Sequence, residues 1–409
     1  MSRIFQTLGA DPTKLGWFFI LPPLAGLVVQ PAIGLFSDRT WAPKLGGRRL
    51  PYLLIGMIFA VIMMLFLPNI GSLGLGYGSI EALVFGAIAI AILDVAANMA
   101  MQPFKMMIGD MVNDEQKSYA YGIQSMLSNS GAVIAAFFPF LLTVLGVANT
   151  AKKGVVPQSV VISFYVGAAI LVITSLLTVT KVHEYDPKTY ARYHGIKEED
   201  NKECGNWFEL LKKAPKVFWQ VSLVQLFCWF SFQYLSTYAT GAIAENVWKV
   251  TDPSSAGYQL AGNWFGVLTA VQSIAAVIWS YVLAKVPNDH HKVGYGISLL
   301  LGAIGYGSIF FVHSQNILIV SFILIGISWA AMNTYPLTMV SNALSGKHMG
   351  TYLGLFNCSI CLPQIIASLL SFILFPLMKY SMPAMMLTAG ISGILAAVCV
   401  LFIKETYKN

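Results

Sequence analysis

Stretches of about 20 apolar residues recur along the whole chain, and each is long enough to cross a bilayer as a helix. Eleven can be marked, at about 15–36, 51–68, 81–102, 122–146, 159–180, 217–243, 260–285, 293–313, 316–337, 352–377 and 383–403. A backbone in lipid finds no water for its N–H and C=O groups, so each stretch must satisfy them within itself, which an α-helix does. A membrane β-barrel would show strict apolar–polar alternation, and these runs are continuous. Composition agrees: 56% of the 409 residues are hydrophobic and 11% are charged, against roughly 25% charged in soluble domains. The expected fold class is all-α integral membrane.

A net charge of +7 could point to nucleic acid, but the basic residues lie in short loops between spans. If the first visible span runs from outside to inside, nineteen of the 25 Lys and Arg fall on the cytoplasmic side and six outside. That puts the C-terminus and the central loop in the cytoplasm and Met1 outside. The longest polar stretch, His183 to Lys216, has five spans before it and six after. The expected organisation is an N-terminal half at 1–181, a central loop at 182–216 and a C-terminal half at 217–409. The end of that loop, Asn206 to Lys213, reads equally as an amphipathic surface helix or as a solvated linker. Cys358 and Cys361 make a CxxC inside an apolar run, which is half a zinc site and carries no redox or metal expectation. His290-His291 falls in a short cytoplasmic loop and is expected to be solvated. No cofactor or metal is expected.

There is a faint internal repeat. Trp17-Phe18 opens the first span and Trp264-Phe265 the seventh, while Gly122 with Ala135 echoes Gly354 with Ala367. If the halves are equivalent repeats, the first visible span matches the second helix of the later half. The early half would then lack its first helix, so that about eleven of twelve helices are visible.

Gly34-Leu35-Phe36-Ser37-Asp38-Arg39, followed by Gly47-Arg48-Arg49, resembles the loop signature between helices two and three of the major facilitator superfamily. Around it, Gln6-Thr7-Leu8-Gly9 and Leu27-Val28-Val29-Gln30-Pro31 look like the corresponding run of plant sucrose transporters and their animal and bacterial relatives. Leu93-Asp94-Val95-Ala96-Ala97-Asn98 with Gly109-Asp110-Met111 is similar to their fourth-helix motif. Gly350 to Asn357, with Pro363-Gln364-Ile365-Ile366, resembles helix eleven of the bacterial members. Together these motifs identify the chain as resembling the glycoside–pentoside–hexuronide:cation symporter group. The resemblance implies a twelve-helix major facilitator fold and import of an α-glucoside disaccharide such as maltose or sucrose with protons. It also implies that Ser2 to Gly9 is the extracellular link after helix one. Lys105 stands where the plant pattern has arginine, and Tyr234-Leu235-Ser236-Thr237-Tyr238 replaces an acidic plant stretch. The second of these lies closer to the bacterial relatives, and a bacterial cytoplasmic membrane is expected.

Of the eighteen acidic residues, Asp94 alone sits well inside an apolar span. A charge there costs ~2.5–3.5 kcal/mol on insertion scales, so a carboxyl that can alternate between neutral and charged forms suits a proton carrier. Asn98 lies one turn on, on the same face. Gln225 with Trp229, and Trp329 with Asn333, repeat that spacing. The resemblance implies that the helices bearing these pairs line a central cavity. Amides can bond sugar hydroxyls and aromatic faces can stack on the ring, although amides also join membrane helices to one another. Asn357 and Gln364 stand as further substrate-binding candidates, with helix packing as the alternative. Gly34, Asp38, Arg39, Arg48 and Arg49 form a candidate cytoplasmic gate, beside a role in positive-inside anchoring. An intramembrane enzyme would need clustered ligands or a nucleophile with its base, and one aspartate supplies neither. Sodium-coupled or uncoupled transport and a transporter-like sugar sensor remain as alternatives. The expected partners are a sugar, the proton and the lipid bilayer, with no nucleic acid, and the expected state is a monomer.

Overall fold

The structure, a computed structural model, describes residues 21–69, 80–148, 156, 158–194, 207–251, 255–344 and 348–404. Ser2 to Gly9, Trp17-Phe18 and Asn206 lie outside the described residues. The long helices are α1 (Leu21–Arg39), α2 (Leu50–Phe66), α3 (Ile80–Met111), α4 (Asp114–Val144) and α5 (Gln158–Lys181). Two short helices follow, α6 (Pro187–His194) and α7 (Trp207–Lys213). Then come α8 (Lys216–Ile243), α9 (Ala256–Leu283), α10 (His291–Phe311), α11 (Leu318–Ala343), α12 (Met349–Phe356), α13 (Cys358–Leu377) and α14 (Met382–Val400). The central loop thus does form a helix at Trp207–Lys213. Among the described residues, eight helical stretches are long and apolar enough to cross a membrane, with α12 and α13 making one of them. The helices α1, α4 and α8 fill the other three expected places and are more polar. Much of their polar character is buried, for example Gln30 and Ser37 on α1, Ser125 and Asn129 on α4, and Gln225 and Ser231 on α8.

Two helices run past their expected ends. The third span continues to Met111 and the fourth begins at Asp114. Their charged ends find partners there: Asp110 pairs with Arg48 and Arg49, and Lys117 with Asp114. A second correction concerns His291, which is not solvated. It opens α10 and is fully buried, its Nε2 3.1 Å from the Val286 carbonyl and its ring against Tyr335.

The chain divides into two compact units. Unit 1 comprises 1–111, 134–204 and 346–358, and unit 2 comprises 112–133, 205–345 and 359–409. In unit 1, α2 lies against α3 and α5, while α1 lies against α3 and α12. Its core includes Ala60, Ala89, Leu93 and Ala96. Small residues bring the backbones close, the general device of helix packing where lipid is as apolar as leucine. A Cβ on Gly56 would meet the Ala100 backbone N at 2.7 Å, and one on Gly354 the Gln30 carbonyl O at 2.6 Å. Ile55, Ile58, Phe59 and Ile62 of α2 are exposed, as a lipid-facing stripe requires. Pro31 has no N–H, so the Leu27 carbonyl lacks its helical donor. The Cys358 thiol lies 4.0 Å from that carbonyl, and the neighbouring Asn357 Nδ2 donates to Gly26 O at 3.0 Å. In unit 2, α14 packs on α8 and α10, and α11 on α9 and α10. Gly390 and Gly307 face each other in the α10–α14 contact.

The start of α2 has no side-chain cap from its own segment. A helix N-terminus leaves backbone donors to be satisfied, and here the acceptor comes from far along the chain. Glu184 Oε1 accepts the N–H groups of Arg49 at 2.8 Å and Leu50 at 3.1 Å, while the Glu184 N–H donates to Gly46 O at 2.9 Å. Burial pushes the Glu184 carboxyl above its ordinary range, against the pull of those two donors and of the Arg49 charge. The folded protein therefore holds this proton more tightly than the unfolded chain does. The stability associated with that difference is present in acid and is lost as pH rises through the ordinary glutamate value to the raised one. Glu184→Gln keeps an acceptor for the cap and removes the titration. In detergent, the difference in Tm between wild type and this variant should shift in favour of the variant as pH rises across that window. A pH-independent difference would show that Glu184 does not titrate in this way.

Candidate functional site

Each unit carries one set of polar side chains inside its helices. In unit 1, Asp94 and Asn98 lie one turn apart on α3. The Asn98 Nδ2 donates back to the Asp94 carbonyl at 2.8 Å, and its Oδ1 accepts from Gln30 Nε2 on α1 at 2.5 Å. Asp94 Oδ2 is buried and has no hydrogen-bond partner among the described residues. The same holds for Gln30 Oε1 and for both side-chain atoms of Gln102. Gln30 was legible only as part of a motif, because its pairing with Asn98 needs α1 and α3 side by side.

The charged loop gathers at the far ends of α1 and α3. Arg49 is fully buried. Its Nε donates to Asp110 Oδ2 at 3.0 Å, its Nη2 to Asp38 Oδ1 at 2.6 Å and its Nη1 to Ser37 Oγ at 2.5 Å. Burial alone would push the guanidinium toward its neutral form, but Asp110 and Asp38 more than reverse this and hold it above the ordinary arginine value. Arg48 reaches Asp110 at 3.1 Å and lies over the Tyr190 ring at 3.7 Å, and Tyr190 Oη donates to Asp110 Oδ1 at 3.0 Å. Burial and the Asp110 charge raise the Tyr190 phenol above its ordinary range, so it remains a donor.

Asp38 does a second task. Its carboxylate accepts the N–H of Gly350 at 3.2 Å and both the N–H and hydroxyl of Thr351, at 2.8 and 2.7 Å. That is an anionic cap on the start of α12, where unpaired N–H groups and the helix dipole favour negative charge. Gly34 makes the approach possible, since a Cβ there would collide with the Gly350 carbonyl. Gly34, Asp38, Arg48 and Arg49 are thus brought together. Arg39 is not: it is exposed at the last turn of α1, with no ion pair among the described residues. Glu184, Tyr190 and Thr351 join the cluster from positions that local sequence did not connect with it.

In unit 2, α8 and α11 bring their expected pairs together. The rings of Trp229 and Trp329 meet edge to face at 5.6 Å, and Phe232 lies 4.4 Å from Trp329. Gln225 Nε2 donates to the Met332 carbonyl at 3.1 Å, joining the two helices. Asn333 Nδ2 donates to the Trp329 carbonyl of its own helix at 2.8 Å. Asn129 of α4 was not singled out from sequence, yet its Oδ1 accepts Trp329 Nε1 at 3.0 Å. The signal was an amide inside an apolar span. The Trp229 indole N–H and Gln225 Oε1 are buried without partners among the described residues. The remaining candidates lie apart from these rings in their bonding. Gln364 bonds its own helix at Ile360 O, and Asn357 bonds Gly26 O as a helix-joining amide. A tryptophan pair of this kind, Trp229 buried and Trp329 partly exposed, with amides at its edge, can stack on one face of a ring and bond hydroxyls around it.

Comparison with known proteins gives a consistent result. The sucrose transport protein SUC4 of Arabidopsis thaliana is 25% identical over 405 residues, covering 90% of this chain and 78% of its own. The sucrose transport protein SUT2 of Oryza sativa subsp. japonica is 23% identical, with 90% and 81% covered. Among solved structures, the E. coli fucose:proton symporter FucP matches 99% of this chain and 94% of its own, with a TM-score of 0.72 at 12% identity. The proton:xylose symporter XylE matches 98% and 89%, with a TM-score of 0.66 at 12% identity. Their fold is the one described above, all-α and membrane-spanning, and the relatives are transporters rather than enzymes. The Major Facilitator Superfamily profile matches residues 1–368 and 251–409, and the chain belongs to that family.

Proposed function

We propose that the protein imports a sugar together with protons by alternating access of its two halves, 1–181 and 217–409, joined by the cytoplasmic loop 182–216. The observation that carries the proposal is Asp94, a carboxyl within a membrane span whose Oδ2 is buried and unpartnered among the described residues. A permanent charge there is unfavourable, whereas a carboxyl that takes a proton outside and releases it inside can cross with its cargo. The similarity to sucrose transport proteins supports an α-glucoside disaccharide such as sucrose or maltose. Trp229 and Trp329 supply stacking faces, and Gln225, Asn333 and Asn98 supply amides for hydroxyls. Asn357 and Gln364 stand as further substrate-binding candidates, with helix packing as the alternative.

The cluster of Asp38, Arg48 and Arg49, with Gly34 permitting the contact and Arg39 anchoring the loop, acts as the cytoplasmic gate. Its hold on α12 through Asp38 is what must break when the inner side opens. The lysine and arginine distribution supports a cytoplasmic C-terminus; the proposed setting is a bacterial inner membrane and the proposed state a monomer.

Uptake of labelled sucrose, maltose and related disaccharides into proteoliposomes, with and without an inward proton gradient, tests the proposal. Asp94→Asn should abolish accumulation against a gradient while the protein remains folded in the membrane. Wild-type accumulation by this variant would remove Asp94 from coupling.

Trp229→Ala and Asn333→Ala should each weaken sugar binding by about 1–3 kcal/mol, from the loss of a stacking face or a hydrogen bond. The measurement is half-saturation of uptake for each variant. Unchanged half-saturation in both would exclude α8 and α11 from the sugar site.

A further inference from the structure

Asp94 and Asn98 begin a stripe along α3 whose next member, Gln102, has no part in the transport cycle described so far. Asp94, Asn98, Gln102, Met106 and Asp110 recur every fourth residue along α3, so they form a band that winds slowly round the helix, rising about 6 Å at each step. Burial deepens along it: Gln102 is 1% exposed, Met106 fully buried and Asp110 nearly so. The adjoining face of α1 keeps register with this band. Gln30 bonds Asn98 at one level, and Ser37 Oγ lies 3.7 Å from Met106 Sδ at the next. Gln102 therefore falls between them, at the level of Gly34, where α1 presents no polar side chain. Ser37 then accepts from Arg49 Nη1, whose Nε bonds Asp110. The stripe thus ends in the charged cluster at the cytoplasmic loop.

Gln102 needs an explanation. A side-chain amide has two donors and an acceptor with two lone pairs, and buried polar atoms in folded proteins are nearly always bonded to protein or to water. Neither amide atom of Gln102 has a protein partner among the described residues, and the same is true of Gln30 Oε1 and Asp94 Oδ2. The four atoms lie on one stripe, and water is the partner that can serve all of them. Pro103 adds to the effect, because its missing N–H releases the Met99 carbonyl beside Gln102 as a further acceptor. The stripe also ends favourably for a cation. Arg48 and Arg49 are faced by Asp38, Asp110 and Glu184, so the cluster does not oppose an arriving proton with net positive charge.

We propose that the proton leaves Asp94 for the cytoplasm inside unit 1, along water held between α1 and α3 by Asn98, Gln30, Gln102 and Ser37, rather than through the sugar cavity. The proposal rests on Asp94 being the coupling carboxyl. In the step itself the O–H bond of protonated Asp94 breaks and its electron pair stays on the carboxylate. The proton joins the adjacent water, and each water passes one on until bulk solvent beyond the buried Arg49 cluster receives it. The amides do not themselves titrate. They position the water, and Gln102 is a positioning residue for the release step.

The test compares two modes of transport in proteoliposomes, using whichever of labelled sucrose or maltose the wild type accumulates. Net proton-driven uptake requires proton release in every cycle. Equilibrium exchange of sugar lets the loaded, protonated carrier shuttle without releasing it. Gln102→Leu removes the water-holding amide in favour of an apolar side chain of similar size. It should slow net uptake at least about tenfold while exchange stays within about twofold of wild type. Gln102→Ser, which keeps a polar group and leaves room for water, should restore most of the net rate. Unaltered net uptake in Gln102→Leu would overturn the route and leave Asp94 in place as the coupling residue. Equal loss of both modes in Gln102→Leu would also overturn it, because the residue would then act on sugar binding or on folding. Accumulation at the wild-type level by Asp94→Asn would instead bring down the coupling assignment on which the route depends.

Discussion

The Arg49 guanidinium has no exposed surface, and much of unit 1 is arranged around that fact. Taking such an ion out of water costs several kcal/mol even after relaxation, and removing one partner of a buried pair costs about 3–5 kcal/mol, because the other charge is left uncompensated. Arg49 is tolerated only because Asp38, Asp110 and Ser37 together occupy its donors. Those partners fix the last turns of α1 and α3 against the first turn of α2. Asp38 extends the arrangement to α12, and Glu184 and Tyr190 tie the segment after α5 to the same point. One buried charge thereby sets the relative placement of four helix ends and a loop. Withdrawing α12 would break three hydrogen bonds to Asp38 and change the balance of charge around Arg49. That makes the cluster a natural point at which to hold or release a conformation.

The chemistry is divided between the units. Unit 1 carries the titratable carboxyl in a span and the amides beside it, and unit 2 carries the tryptophan pair with Asn129, Gln225 and Asn333 around it. A proton site needs a group that can be neutral in lipid and charged in water, with water able to reach it. A sugar site needs aromatic faces, with amides at their edges for the hydroxyls. The proposed coupling carboxyl and the proposed stacking faces sit on different helices, Asp94 on α3 and the tryptophans on α8 and α11. Such a division lets a carrier couple two cargoes through a conformational change rather than through direct contact between them.

The helices themselves were legible, because a continuous apolar run of sufficient length in lipid has one backbone solution. Their ends were less so. The continuation of α3 to Met111 brings Asp110 to ion partners from another segment, Arg48 and Arg49, while the start of α4 carries a local pair of Asp114 with Lys117, and apolar periodicity reveals neither. Asp94 stood out because position alone makes an acid in a span conspicuous, and Trp229 and Trp329 because their spacing with amides repeated. Gln30, Asn129, Glu184 and Tyr190 could not be found in this way, since each acquires its role from a neighbour tens to hundreds of residues distant. Arg39 shows what local reading leaves open. It belongs to the same motif as Asp38, but helix geometry turns it outward, away from the Arg49 cluster. His291 shows it again, where a loop position by sequence became the buried first residue of α10 through its ring contact with Tyr335.

The central claim is that sugar and proton move together through this protein. The most direct measurement is the pH of a weakly buffered suspension of cells or right-side-out vesicles containing the protein, followed as sucrose or maltose is added without any imposed gradient. The account predicts that the medium turns alkaline as sugar enters, in a fixed ratio of protons to sugar, and that a protonophore abolishes the change. Entry of labelled sugar through the protein with no accompanying change in external pH would contradict it.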